Sequence, residues 1–199
     1  MREVELYTPI SEEEIRELNI GDRIFLTGTV VTARDAAHKR MMKYIAEERD
    51  LPFSLEGLAL YHCGPLAKKR DGWVILAAGP TTSMRMEPLE AGVIRKFGVR
   101  LIIGKGGMGE RTLEAMRRHG AAYGILTGGA AVLAADRIES IKSVEWLDLG
   151  MPDAVWILEV KRLGPIIVGM DSHGRSLYEE VRNRALRNLR GTLRSMSLE

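Results

Sequence analysis

The sequence predicts an α/β domain built on a mainly parallel sheet, with additional strands that pair partly antiparallel. Three observations carry this reading. Apolar, strand-like runs alternate with helix-like segments through the middle of the chain, the pattern of parallel strands joined by helical crossovers. Two of those helical segments close at glycines, Gly98 and Gly120, the residue best suited to a left-handed C-cap. From residue 138 to 168 the helices stop and strand-like runs succeed one another. No linker, repeat or low-complexity tract interrupts the 199 residues, so residues 1–199 read as one domain.

Taken in order, Val4 to Tyr7 reads as a short strand, and Ser11 with Glu14 forms a capping box for a helix from Glu12 to Leu18. Asn19 to Asp22 is a turn, and Arg23 to Thr32, rich in β-branched residues, is a strand. Asp35 is placed to cap a helix that runs to about Arg49, with Met41, Met42, Ile45 and Ala46 on one face. Leu58 to Tyr61 is a strand ending at His62-Cys63-Gly64-Pro65. A basic turn, Lys68-Lys69-Arg70-Asp71-Gly72, leads into Trp73 to Ala78, read as a buried strand. A helix over Leu89 to Phe97 starts at Glu87-Pro88. Val99 to Ile103, Ala122 to Thr127, Ile138 to Trp146, Val155 to Val160 and Ile166 to Val168 are strands. Glu110 to His119 and about Arg175 to Met196 are helices, and Ala130 to Ala135 is an alanine-rich segment.

Composition removes several function classes. A net charge of +2 is too small to argue for nucleic acid. No apolar run reaches the roughly 18 residues of a membrane span, and the first residues lack a signal-peptide core, so a cytoplasmic location is expected. The single cysteine, Cys63, makes no internal disulfide and cannot alone hold an iron–sulfur cluster. No metal-ligand set is read in the chain.

The chemistry concentrates where strands end. In Gly79 to Met86 (GPTTSMRM), Pro80 stops a strand, Thr81, Thr82 and Ser83 bring three hydroxyls, and Arg85 brings a guanidinium. Ligands of open α/β sheets bind at such C-terminal strand ends, and a flat carboxylate suits a two-pronged arginine. The alternative is a plain turn with Arg85 in water. GKGGMG, Gly104 to Gly109, matches the glycine pattern of dinucleotide sites but lacks the acid about twenty residues on. It also lacks the Gly-Lys-Ser/Thr of a P-loop. It reads as a small-anion site at a helix N-terminus with Lys105 beside it, or as a structural turn. Thr32 to Arg40 (TARDAAHKR) puts Arg34 at the sheet's mouth and His38 one turn into a helix. Cys63 reads as a buried small residue rather than a thiol site, since His62 beside it on a strand points to the other face. The last helix lines up Leu177, Val181, Ala185, Leu189 and Leu193, a solvated face or subunit contact in preference to a membrane-binding one.

Together RDAAH, YHCGP, GPTTSMRM and GKGGM, in this order, closely resemble the β subunit of class I, iron–sulfur-dependent fumarate hydratases and L-tartrate dehydratases, from about residue 5 to 180. The resemblance implies a swivelling β/β/α domain, three layers around a mainly parallel sheet. It implies a partner α subunit that carries a [4Fe–4S] cluster, in a heterotetramer, with a homodimer open to the isolated chain. It implies substrate-binding roles for Arg34, Arg85 and Lys105, a catalytic role for Thr81, and a hydrogen-bonding role for Thr82; His38 is a further candidate. The implied reaction is reversible dehydration of (S)-malate to fumarate, part of the tricarboxylic acid cycle, with the cluster's open iron as Lewis acid for the departing hydroxyl. The alternatives are a tartrate or methylmalate dehydratase subunit, and a non-catalytic module for small anions or nucleotides. Met84 stands where many relatives carry glycine, a larger side chain that bears on which diacid fits.

Overall fold

The structure, a computed structural model, describes residues 2–69 and 71–196. The strands among the described residues are β1 Glu3–Tyr7, β2 Arg23–Thr32, β3 Ala59–Tyr61, β4 Leu66–Lys69, β5 Trp73–Ala77, β6 Leu101–Gly104, β7 Ala122–Ile125, β8 Ile138–Glu145 and β9 Val155–Met170. The helices are α1 Glu12–Arg16, α2 Asp35–Ala46, α3 Glu87–Phe97, α4 Glu110–His119, α5 Ala131–Ala135 and α6 Leu177–Ser195. The main sheet runs β1-β2-β3-β6-β7-β9-β8. Its β1–β2, β2–β3, β3–β6 and β6–β7 pairings are parallel, and β9 is antiparallel to β2, β7 and β8. The α/β class with a mostly parallel central sheet is therefore as predicted.

Strand β9 decides the shape. It pairs with β7 near its end and with β2 along its length, so β2, β3, β6, β7 and β9 close a ring. The period-two alternation of strand side chains then sorts the core into two bodies. Inside the ring lie Ala59, Tyr61, Leu101, Ile103, Ala122, Trp156 and Leu158. Facing the helices lie Val31, Leu60, Ile102 and Tyr123, against Met41 of α2, Val93 and Ile94 of α3 and Met116 of α4. Fully burying a large apolar side chain is worth about 1.5–3 kcal/mol, so both bodies contribute heavily to stability.

Several boundaries differ from the sequence reading, each for a local reason. Trp73–Ala77 is a strand but does not join the main sheet; it pairs with β4 as a two-stranded ribbon. Trp73 and Ile75 pack against the core while Val74 and Leu76 are exposed, so the run is not a buried strand. Lys68 and Lys69 belong to β4 rather than to a turn; Arg70 lies outside the described residues. The two predicted strands at 155–160 and 166–168 are one, because β9 passes through Gly164-Pro165 where its ladder to β2 shifts register. Asp35 is not the cap of α2: that position is Arg34, whose side chain makes no capping bond. Helix α6 is capped by Ser176, and its Val181 and Leu189 are exposed, as is Leu186 beside them. Among the described residues no helix is long and apolar enough to cross a membrane.

Candidate functional site

Parallel pairing sends the C-terminal ends of β2, β3, β6 and β7 to one edge of the sheet, and the candidate residues arrive there by different routes. Arg34 follows β2, His62 follows β3 and Lys105 follows β6 directly. Thr81 and Thr82 come from the ribbon, not from the sheet. They reach the edge because Thr81 N–H donates to the His62 carbonyl at 2.7 Å and Ser83 N–H donates to the Lys105 carbonyl at 3.0 Å. The segment is thus wedged between the ends of β3 and β6, with Thr82 bridging to Lys105. Ser83–Met86 then makes one 3₁₀ turn into α3, which presents Arg85 and leaves Met84 exposed.

Arg85 Nη2 donates to Thr81 Oγ1 at 2.7 Å and meets Asp35 Oδ2 at 3.0 Å. That contact brings the corner after β2 to Thr81. Arg34 is held differently. Its Nε lies 3.8 Å from Asp153 Oδ1, too long for a hydrogen bond, and both atoms are buried without a partner. Gly64 makes room for it, since a Cβ there would fall 2.6 Å from Arg34 Nη1 and 2.5 Å from the Pro152 carbonyl. Lys105 reaches over the end of β7, where a Cβ on Gly128 would sit 3.3 Å from Nζ. It has no carboxylate partner among the described residues. The edge therefore carries three cations and three hydroxyls, with two carboxylates as counter-ions.

Both ways an arginine grips a carboxylate with two bonds use Nη2, and here Asp35 and Thr81 already take that nitrogen. Asp35 thus stands where an incoming carboxylate would. Asp35→Asn is expected to tighten binding of a small dicarboxylate such as malonate about two- to fivefold at low salt, the scale of a partly exposed ion pair. Calorimetry on the isolated chain checks this, and unchanged affinity would show that Asp35 does not compete.

At the helix after the glycine loop, a carboxylate of the chain itself takes amides that an anion would use. Glu87 of α3 accepts from Gly109 N–H at 2.7 Å, from Thr112 N–H at 3.2 Å and from the Thr112 hydroxyl at 2.6 Å, so the N-terminus of α4 is satisfied from within. The loop's work is conformational: Gly106 and Gly107 have φ of 80° and 74°, turning the chain after Lys105.

His38 is not at the mouth of the site but beneath it, fully buried with His62 and Glu90. Glu90 Oε2 lies 3.0 Å from His38 Nε2 and 2.9 Å from His62 Nε2. His38 Nδ1 lies 2.9 Å from the Arg34 carbonyl, His62 Nδ1 lies 2.9 Å from Ser83 Oγ, and the Tyr123 hydroxyl donates to Ser83 Oγ at 3.0 Å. Burial works against charge on all three groups. For His38 the Glu90 carboxylate outweighs burial and the net direction is upward; for His62 burial wins and the direction is downward. Glu90, pushed up by burial, is pulled further down by the two histidines, to about 2. The three ligand atoms lie within 4.8 Å of one another, close enough for a metal ion, yet both nitrogens are already hydrogen-bonded to the carboxylate.

Sequence reasoning missed Glu90 and Tyr123, and read Ser83 only as one of three loop hydroxyls and His62 only as the neighbour of Cys63. One signal was present: Glu90 precedes the buried Val93 and Ile94 by three and four residues, so an acid holds a core position on α3. Cys63 is buried, and burial pushes its thiol up to about 12. A lone, buried thiol does not supply the several thiolates that an iron–sulfur cluster normally takes.

Cations gathered at the parallel strand ends of a ring-closed α/β domain suit the site to anionic ligands. Comparison with known proteins is more specific. The family model described as Fumarase C-terminus matches residues 1–181, and the chain belongs to that family, which takes in β subunits of the class I fumarate hydratase type. It is 45% identical over 176 residues to the L(+)-tartrate dehydratase subunit beta of Escherichia coli K12, covering 88% of this chain and 86% of that one. It is 44% identical over 190 residues to the "Putative fumarate hydratase class I" of Geobacillus stearothermophilus, covering 94% of this chain but only 36% of that longer protein. It is 40% identical over 185 residues to the "Putative L(+)-tartrate dehydratase subunit beta" of Methanocaldococcus jannaschii, covering 92% and 95%.

Proposed function

We propose that this chain is the β subunit of a cytoplasmic hydro-lyase that reversibly dehydrates (S)-malate to fumarate, a swivelling domain working with a separate α subunit in a heterotetramer. The observation that carries the reading is the 2.7 Å bond from Arg85 to Thr81 Oγ1 at a strand-end edge shared with Arg34 and Lys105. A threonine hydroxyl is a poor base in water. A guanidinium donating to its oxygen stabilises the alkoxide left once the hydroxyl has released its own proton to solvent, and that alkoxide takes the proton α to the substrate's far carboxylate, restoring the hydroxyl. The charge then spreads onto that carboxylate, where Arg34, Arg85 and Lys105 stabilise it. Each cation is worth roughly 4 kcal/mol at 4 Å and an effective dielectric near 20. Thr82, exposed beside Lys105, offers the substrate a further hydrogen bond. The [4Fe–4S] cluster of this reading belongs to the α subunit, and no step assigned to this chain passes through it.

A second reading, L-tartrate as substrate, is favoured by the names of the two-subunit relatives and by the exposed Met84 beside Arg85. One experiment separates them: anaerobic co-purification with the α chain, then assay against malate, tartrate and methylmalates. Turnover is expected only with both chains and with the highest kcat/KM on malate. Higher kcat/KM on tartrate transfers the assignment to the second reading. Turnover by the isolated chain, or a stable cluster spectrum after iron and sulfide are added to it, would sink both.

A further inference from the structure

Four groups that the proposed chemistry does not use, His38, Glu90, His62 and Ser83, lie directly under the residues that it does use. Their hydrogen-bond partners, with Glu90 ionised, support one assignment of the protons. His38 faces the Arg34 carbonyl through Nδ1 and the Glu90 carboxylate through Nε2. The carbonyl only accepts, and so does the carboxylate in its ionised form; with Glu90 ionised, both ring nitrogens carry hydrogen and His38 is an imidazolium. His62 donates Nε2–H to the same carboxylate oxygen. Its Nδ1 accepts from the Ser83 hydroxyl, whose oxygen accepts from Tyr123. With Ser83 assigned as the donor to Nδ1, His62 is neutral, in the Nε2–H form. The two rings meet edge to face at 5.2 Å.

Each member also grips a piece of the edge. His38 holds the Arg34 carbonyl, at the corner after β2. His62 accepts the Thr81 amide on its own carbonyl and donates its own amide to Ile103 of β6. Ser83 donates its amide to the Lys105 carbonyl. Gly104 is the only residue that fits beside them, because a Cβ there would lie 1.9 Å from Ser83 Oγ. We infer that Glu90, by bridging a charged His38 and a neutral His62, is a positioning residue that ties the backbones carrying Arg34, Thr81, Arg85 and Lys105 into one rigid floor. Thr81 Oγ1 is bonded to Arg85 and not to this network, so the network places the threonine and passes it no proton. The pair of opposite charges leaves the floor neutral, and the electrostatic character of the edge stays with its exposed cations. The direction of the shifts at His38, raised, and His62, lowered, agrees with this assignment. The groups that face the two rings are Glu90 from α3 and Asp35 from the start of α2, with Ser83 and Tyr123 beyond His62.

What the floor serves rests on the proposed dehydratase reading, but its existence is testable on the isolated chain without any turnover. Ring-¹⁵N spectra report the protonation of each of the four histidines, with His38 and His62 assigned through His38→Gln and His62→Gln. The expected result at pH 7 is one buried ring doubly protonated and the other neutral, protonated on Nε2. The backbone amides of Thr81 and Ser83 should shift together as His38 loses its proton. In Glu90→Gln, hydrogen exchange at the Thr81 amide should rise at least tenfold, while Ile141 in β8 stays within twofold. Two neutral buried rings at pH 7, or one equivalent of zinc retained by the purified chain, would overturn the inference. So would equal acceleration at Thr81 and Ile141, the signature of general loosening. If Glu90→Gln does not fold, the wild-type ring and amide titrations decide alone. Failure with malate and tartrate would leave all of these outcomes standing, so the two proposals fail separately.

Discussion

Arg85→Lys in the reconstituted enzyme is expected to lower kcat/KM by ten- to over a hundredfold. The replacement keeps the charge but loses the planar fork, and one nitrogen of that fork serves both Thr81 Oγ1 and Asp35. A hydrogen bond to a charged group is worth about 1.5–3 kcal/mol, which sets the range. The companion change is Thr81→Val, nearly the same shape without the hydroxyl. If Thr81 carries the proton, its loss falls on kcat with KM nearly intact; if it only orients substrate, KM rises instead. The two changes should also be non-additive, because Arg85 acts partly through Thr81. Steady-state kinetics of both singles and the double decide the matter. Near-normal kcat for Thr81→Val would remove Thr81 from the catalytic list and leave the cations as a binding site.

A large effect on stability is expected at Gly104→Ala. A Cβ at that position meets Ser83 Oγ at 1.9 Å, the Tyr123 hydroxyl at 3.1 Å and His62 Nδ1 at 3.3 Å. Overpacking costs about 1–3 kcal/mol. Moving Ser83 away also strands buried polar groups, at about 1–3 kcal/mol more. Against a total of about 5–15 kcal/mol this is a large share, and at 2–4 °C per kcal/mol the melting temperature should fall by about 5–20 °C. Gly129→Ala is the matched control: nothing lies within 4 Å of its Cβ and its backbone suits any residue. Thermal unfolding of both checks the claim, and a Gly104→Ala chain that melts with the control would mean that Ser83 has room to move.

Much of this was legible in the sequence because it is local. The capping box of Ser11 and Glu14 is present, and Gly98 and Gly120 close their helices at φ of 67° and 64°. Arg34 and Lys105 could be placed at strand ends because an alternating β/α pattern fixes where parallel strands finish. What escaped was non-local. An apolar run such as Trp73–Ala77 says that a strand forms, but not which strand it pairs with. Acids in a first turn look like dipole partners of their own helix, whereas Glu87 caps α4. His38, His62, Ser83, Glu90 and Tyr123 sit on five different segments, and periodicity reports the face a residue occupies, never its partner across the core.

For a carboxylate ligand bound as proposed, the contact between Asp35 and Arg85 makes the edge behave like an ion exchanger. A ligand's first carboxylate replaces a carboxylate already in place, so Arg85 returns only the difference between two similar pairs. A monoacid gains little from that trade and competes with every other anion in solution. A diacid keeps its second charge for Lys105 or Arg34, neither of which has a close, well-formed ion pair to surrender. Discrimination between one and two negative charges is thus written into the resting state of the site, and it should weaken as added salt screens these partly exposed groups, of which Arg85 is 45% and Asp35 35% exposed.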